Sequence, residues 1–176
     1  MTDEQLVARA DRGDARAWEE LFDRHYGGVY RLAYRCCGVR EEAEDVAQEV
    51  FLKVLRKLDT FRGKSAFRTW LYRITVNTAR DTLRARSTAR SREEPIDAEG
   101  GGPDPDCPPR DMLAAVRIQG AVDGLPEGQR EAVALVLGEG LSHREAAEAL
   151  GCREATVSWR IFMAVRRLRA ALGGEA

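Results

Sequence analysis

The sequence predicts an all-α protein of two small helical domains joined by a flexible acidic Pro/Gly linker, the second domain containing a helix-turn-helix. Three observations carry that expectation. Apolar residues recur at spacings of three and four along most of the chain, the period of amphipathic helices. No stretch alternates apolar and polar residues between hairpin turns, so strands are not needed. Residues 93–111, EEPIDAEGGGPDPDCPPRD, hold five of the six prolines, seven carboxylates and three consecutive glycines, with almost nothing to bury. The expected division is a domain at 1–92, a linker at 93–110 and a second domain at 111–176.

The elements follow in order. Thr2 and Gln5 form a capping box for a short first helix ending near Gly13. Asp14 caps a second helix carrying Trp18, Leu21, Phe22, Tyr26, Val29, Tyr30 and Ala33, running to Gly38 and weakened at Gly27-Gly28. From Glu41 to Leu58 an apolar stripe runs through Ala43, Val46, Ala47, Val50, Phe51, Val54, Leu55 and Leu58. Its first turn is acidic and its last basic, which suits the helix dipole. After a loop at Thr60–Lys64, Ser65 caps a helix to about Arg86, with Phe67, Trp70, Leu71, Ile74 and Thr78 on its inner face. Beyond the linker, helices are expected near Asp111–Val122, Glu127–Leu137, Ser142–Leu150 and Glu154–Leu172.

Several classes of function lose support. The longest apolar run, Ala132 to Leu137, falls far short of the ~20 residues that span a bilayer. The start, Met1-Thr2-Asp3-Glu4, lacks the basic and apolar regions of a signal peptide. A cytoplasmic protein without membrane insertion is expected. Cys36, Cys37, Cys107 and Cys152 make no C-x2-C pair, and His25 and His143 stand far apart. No metal site, cofactor or disulfide framework is expected, and the histidines read as surface or capping residues. Without a phosphate loop or nucleophile elbow, no enzyme is expected either.

Charge is more informative. The net charge of −1 conceals a block at 51–92 with 12 basic and 2 acidic residues, and another at 151–176 with 5 basic and 2 acidic. Two basic blocks flanking an acidic segment point to two polyanion-binding surfaces. In the first, Phe61, Phe67, Trp70 and Tyr72 lie among Arg62, Lys64, Arg68, Arg73 and Arg80. Interleaved rings and cations suit an unpaired strand, whose bases stack while its phosphates pair. The same rings also read as core at helical spacing. In the preceding helix, Asp45, Gln48, Glu49, Leu52 and Arg56 lie off the apolar stripe, and their acidity suits a protein partner better than DNA.

The second basic block carries the helix-turn-helix. Ala147, Gly151 and Val157 supply a small crossing residue, a turn and a buried aliphatic, and Ser142 with Glu145 caps the first helix. On the second helix Val157, Ile161, Ala164 and Leu168 share the core face. Arg153, Glu154, Thr156, Trp159 and Arg160 are placed to reach base edges in a major groove, and Arg166 and Arg167 to reach phosphates.

These residues resemble a family. Asp45-Val-Ala-Gln48-Glu49-Val-Phe51 and Phe67-Arg-Thr-Trp70-Leu71-Tyr72-Arg73-Ile74-x-x-Asn77-x-x-x-Asp81 are similar to region two of the extracytoplasmic-function (ECF) sigma factors of bacterial RNA polymerase. Leu125-Pro126, Gly140-Leu141-Ser142-His143-Arg144-Glu145-Ala146-Ala147 and Thr156-Val157-Ser158-Trp159-Arg160 resemble their region four. The resemblance implies a factor that binds core RNA polymerase, directs it to promoters and helps to open them. It implies that Asp45, Gln48, Glu49, Leu52 and Arg56 dock on the polymerase. Phe61, Arg62, Lys64 and Ser65 of the loop, with Trp70, Arg73, Asn77 and Arg80, would capture the melted minus-ten element. Region four would read the minus-thirty-five element as duplex, and an anti-sigma factor is an expected partner, without an obligate homo-oligomer. The alternative is a freestanding dimeric helix-turn-helix regulator, which would leave the aromatic-basic half without a role.

Overall fold

The computed structural model describes residues 1–90 and 112–173, so the linker and its expected boundaries lie outside the described residues. Eight α-helices and no strand appear among them. They are α1 (Asp3–Ala10), α2 (Ala15–Cys37), α3 (Arg40–Lys57), α4 (Phe67–Arg90), α5 (Met112–Asp123), α6 (Glu127–Val133), α7 (His143–Leu150) and α8 (Glu154–Leu172).

Local chemistry sets most of the boundaries. Thr2 and Gln5 complete the capping box of α1, and the Asp14 carboxylate accepts from the Arg16 and Ala17 amides at the start of α2. Gly38 closes α2 in the left-handed conformation, φ 73°. The expected weakening at Gly27-Gly28 is absent, and α2 runs through both. Gly28 serves close packing instead: a Cβ there would lie 2.5 Å from the Tyr72 hydroxyl oxygen.

On α3, Ala43, Val46, Ala47, Val50, Phe51 and Val54 are buried as the stripe requires, but Leu55 is 53% exposed. Each i+4 step overshoots a full turn by about 40°, so the row from Ala43 through Ala47 and Phe51 has drifted off the core by Leu55. A 3-10 turn, Leu58–Thr60, leads into the loop before α4. That helix begins at Phe67, two residues after Ser65.

The largest departure from expectation concerns α4. Its predicted inner face is buried at Phe67, Leu71 and Thr78, yet Thr69, Tyr72, Val76 and Ala79 are buried too. Buried positions thus cover about 200° of the helix, twice the width of an ordinary amphipathic stripe. The second unit adds to this burial: α7 packs on α4, α6 with its continuation packs on α2, and the Tyr72 hydroxyl meets Glu139. One apolar cluster runs from Leu6 and Leu21 through Leu71 and Val76 to Leu135, Ala146 and Val157. The two helical units are therefore packed together rather than merely tethered.

In the second unit α6 passes into a π-turn at Ala134–Gly138. The Ser142–Glu145 capping box opens α7, and Gly151, in the left-handed conformation, turns the chain towards α8. Val157 and Ala164 are buried on α8, with Ile161 and Leu168 half-buried beside them, as the core face predicted.

Candidate nucleic-acid interface

Three surfaces hold the residues singled out by sequence. On α3, Asp45, Gln48, Glu49, Leu52 and Arg56 are all exposed. Glu49 pairs with Lys53 at 2.8 Å, and Lys53 reaches the Thr78 hydroxyl at 3.1 Å, fixing this face against α4. Beside it Trp18, Phe22, Gln48, Phe51, Leu52 and Leu55 line an apolar groove. Trp18, Phe22 and Leu55 were not among the expected partner residues, because two lie on α2 and the third reads as core. The surface can accept an apolar side chain within an acidic and amide-bearing rim.

The second surface is the loop before α4 and the strip of that helix left open to solvent. Arg62 and Lys64 are exposed, Ser65 is half-buried, and Gly63 makes the turn at φ 65°. Phe61 and Trp70 are half-buried with ring centroids 5.4 Å apart, and both lean on the buried Phe67 ring, at 5.5 and 5.7 Å. They form an aromatic wall next to two free cations, as strand capture requires. Phe67 belongs to the core and not to that wall, and so does Tyr72, whose hydroxyl donates to Glu139 at 2.8 Å. Burial and the Glu139 charge push the Tyr72 phenol pKa upward.

Trp70, Arg73, Asn77 and Arg80 do share one strip, spanning about 80° of the α4 circumference and about 15 Å of its length. Its far end is already engaged. Arg73 donates through Nε to the Glu148 carbonyl oxygen at 3.3 Å. Arg80 grips Glu131 with two parallel bonds, 2.6 Å from Nε and 2.7 Å from Nη2, and also reaches Asn77 at 3.4 Å. That fork raises the pKa of an already basic guanidinium.

The third surface is α8. Arg153, Glu154, Trp159, Arg166 and Arg167 are exposed and Thr156 is half-buried. Arg160 departs from the expected outward position. It is half-buried against α6, close enough that a Cβ on Gly128 would lie 2.9 Å from its guanidinium carbon, and its Nη1 has no hydrogen-bond partner. Arg166 stacks over the exposed Phe162 ring at 5.9 Å. His143 Nδ1 and the Ser158 hydroxyl, 2.8 Å apart, join the two helices of the motif.

His25 is buried rather than at the surface: it pairs with Asp3 at 2.9 Å and meets Phe67 edge-on. Burial pushes its pKa down, against the opposing pull of Asp3. Cys36 and Cys37 are buried thiols whose pKa values burial raises, that of Cys37 to about 12, so neither is a thiolate at neutral pH. No group of three or more His, Cys, Asp or Glu side chains among the described residues could hold a metal, and no described helix is long and apolar enough to cross a membrane.

One cluster escaped the sequence altogether. Glu139 accepts from Arg35 at 2.6 Å and from Tyr72, and pairs with Arg31 at 3.4 Å. Glu131 and Glu139 have only 4% of their side-chain surface exposed, and their partners come from α2 and α4. Glu139 sits between Gly138 and Gly140, which reads as simple loop punctuation.

Comparison with known proteins locates these surfaces in a family. The family model "Sigma-70 region 2" matches residues 21–89, and "Sigma-70, region 4" matches residues 115–168. The RNA polymerase sigma-H factor of Pseudomonas aeruginosa is 39% identical, over 97% of this chain and 93% of that protein. The ECF RNA polymerase sigma-E factor of Haemophilus influenzae is 38% identical, over 93% of this chain and 92% of that one. Among solved structures, CnrH in complex with the cytosolic domain of CnrY superposes with a TM-score of 0.75 at 30% identity, covering 99% of each chain. The sigma factor RpoE of Bartonella quintana, in complex with the anti-sigma factor NepR, shares the fold at a TM-score of 0.76 and 23% identity, over 90% of this chain and 98% of that one.

Proposed function

The chain belongs to the ECF sigma factors, which bind core RNA polymerase, direct it to promoters and promote DNA opening, and from that premise we propose how its residues divide the work. The first unit, residues 1–92, docks on the polymerase and handles the minus-ten element. The second, residues 111–176, reads the minus-thirty-five duplex. Docking falls to Asp45, Gln48, Glu49, Leu52 and Arg56, with the groove lined by Trp18, Phe22 and Leu55. Strand capture falls to Phe61, Trp70 and the cations Arg62 and Lys64 with Ser65, continued along α4 by Arg73, Asn77 and Arg80. Groove reading falls to Arg153, Glu154, Thr156, Trp159 and Arg160, and phosphate contact to Arg166 and Arg167.

The observation that carries this division is the pairing of an exposed acid-and-amide face on α3 with an exposed basic face on α8. DNA phosphates would repel the first and attract the second. A factor of this kind performs no covalent chemistry of its own and works in the cytoplasm, where core polymerase is. The relatives solved with the anti-sigma factor NepR and with CnrY support a protein inhibitor as this chain's further partner.

The test is reconstitution. The chain, mixed with core polymerase, is expected to start transcripts at discrete sites on genomic DNA of its source organism. Asp45→Lys with Gln48→Ala should abolish co-elution with polymerase and leave helicity intact, because both side chains are exposed. Undiminished co-elution would remove the α3 face from the docking surface.

A further inference from the structure

Trp159 and Arg160 are neighbours in sequence, but the fold parts them. Arg160 lies against α6 in the notch left by Gly128 and is half-buried there. Trp159 is 58% exposed. Around α8, at about 100° per residue, Val157 and Ala164 mark the buried side, and Ala155, Trp159, Phe162 and Arg166 all lie within about 30° of its opposite. The centre of the open face is therefore apolar at Trp159 and not cationic at Arg160.

An indole left this open gains from a partner, because its apolar surface favours burial. Trp18 leans on Phe51, and Trp70 on Phe61 and Phe67, whereas no ring contact holds Trp159 among the described residues. The nearby Phe162 ring is also exposed, but the Arg166 guanidinium lies over it at 5.9 Å. Exposed cations at Arg153, Arg166 and Arg167 border the Trp159 face. They fit the phosphates on either side of a major groove, which would hold the indole over the base edges between them.

The chemistry of an indole limits what it can select there. Its single N–H cannot make the two-bond pairs that identify guanine or adenine. The apolar feature that the major groove offers is the C5 methyl of thymine. Ala155, exposed one turn before Trp159 and about 6 Å along the helix, adds a second small apolar surface on the same side.

We propose that Trp159 is a specificity-determining residue for the upstream element, its ring packing on the C5 methyl of a thymine with Ala155 beside it, while Arg160 serves the edge of the face. The proposal rests on the assignment of minus-thirty-five reading to α8, and it names the base selected there. Burial of one methyl group sets the size of the effect. Deoxyuridine in place of that thymine should weaken binding about fourfold.

The experiment uses the full chain with core polymerase, on a promoter located by its own transcription start, with the upstream element defined by its protection from cleavage. Each thymine of that element is replaced in turn by deoxyuridine, which pairs identically and lacks only the methyl. Wild type should lose about fourfold in affinity at one thymine and little at the others. Trp159→Ala should lose at least as much on the unmodified promoter and should no longer distinguish thymine from deoxyuridine at that position. Trp159→Phe should keep part of the distinction. The ring is open to solvent, so circular dichroism should show unchanged helices in both variants. An upstream element without thymine, equal affinity for every deoxyuridine duplex, or a thymine preference that survives Trp159→Ala overturns the proposal. So does a helical Trp159→Ala chain that keeps the preference but no longer co-elutes with polymerase, which would make Trp159 a protein contact. An upstream element that is not protected at all refutes the reading of α8 itself, and the proposal falls with it.

Discussion

The two units solve the same packing problem with different resources. The first buries large side chains completely, among them Leu6, Leu21, Leu32, Phe67 and Leu71, in contact with several helices. Half of the buried apolar residues described in the second are alanines, Ala132, Ala134, Ala146, Ala147, Ala149 and Ala164, beside the fully buried Leu135 and Val157. Among the described residues its private cluster contains Leu125, Val133 and Ala164, with Ile161 and Leu168 at the edge. The remainder of its apolar surface joins the cluster of the first unit. Burial energy scales with apolar area, so the first unit carries its own stability while the second borrows part of its share.

The largest expected effect tests that asymmetry directly. Leu71→Ala should cost about 4 kcal/mol, since the site is fully enclosed, and Leu125→Ala about 2 kcal/mol at the edge of a small cluster. Urea unfolding followed by circular dichroism measures both, and equal costs would break the comparison.

Next in size is Trp70→Ala. The ring is half-buried against Phe61 and Phe67, so its removal should slow strand opening roughly ten- to a hundredfold through lost base stacking. Duplex capture by the second unit should survive. Rescue on a template already mismatched at the minus-ten element, with a modest fall in melting temperature, sharpens the division of labour. A large fall without rescue would assign Trp70 to the core and leave strand opening to Phe61 and its loop.

Arg160→Ala probes the other unit at about a tenfold level. Loss of a base or phosphate contact costs about 1–3 kcal/mol or about one unit of salt slope. Its Nη1 is buried without a partner, so any fall in thermal stability should come from lost packing on Gly128 and not from a lost Nη1 hydrogen bond. Promoter binding equal to wild type across a salt series would show that Arg160 serves packing on Gly128 alone.

The smallest effect separates the units by pH. Burial lowers the His25 pKa, so the folded first unit binds fewer protons than the unfolded chain. Its stability is full above about pH 6.5 and declines as pH falls below that value. Hydrogen bonds from Ser142 lower the pKa of Glu145 in the second unit, whose contribution persists until pH falls below the ordinary carboxylate value of 4.5. At pH 5.5 amide exchange should accelerate in α1 and α2 before α7. Parallel acceleration in all three would contradict the assignment.

The sequence by itself determined what depends on near neighbours in the chain. Capping at Thr2, Asp14 and Ser142, the left-handed glycines at 38 and 151, the stripe on α3 and the core face of α8 all follow from contacts within a few residues. The exposed faces of α3 and α8 follow as complements of those stripes. Tertiary structure alone decided which of several apolar surfaces met. A row such as Ala43, Ala47, Phe51 and Leu55 does not reveal where its drift carries it out of the core. Nor does the α4 pattern reveal that Thr69, Tyr72, Val76 and Ala79 are buried as well, on a helix that also packs against α7 of the second unit. Least legible were Glu131 and Glu139, because a carboxylate reads as solvated until the fold brings Arg80, Arg35 and Tyr72 to it from positions 51 to 104 residues away. Periodicity is a local property of the chain, whereas charge compensation in a buried contact depends on what the folded chain brings alongside.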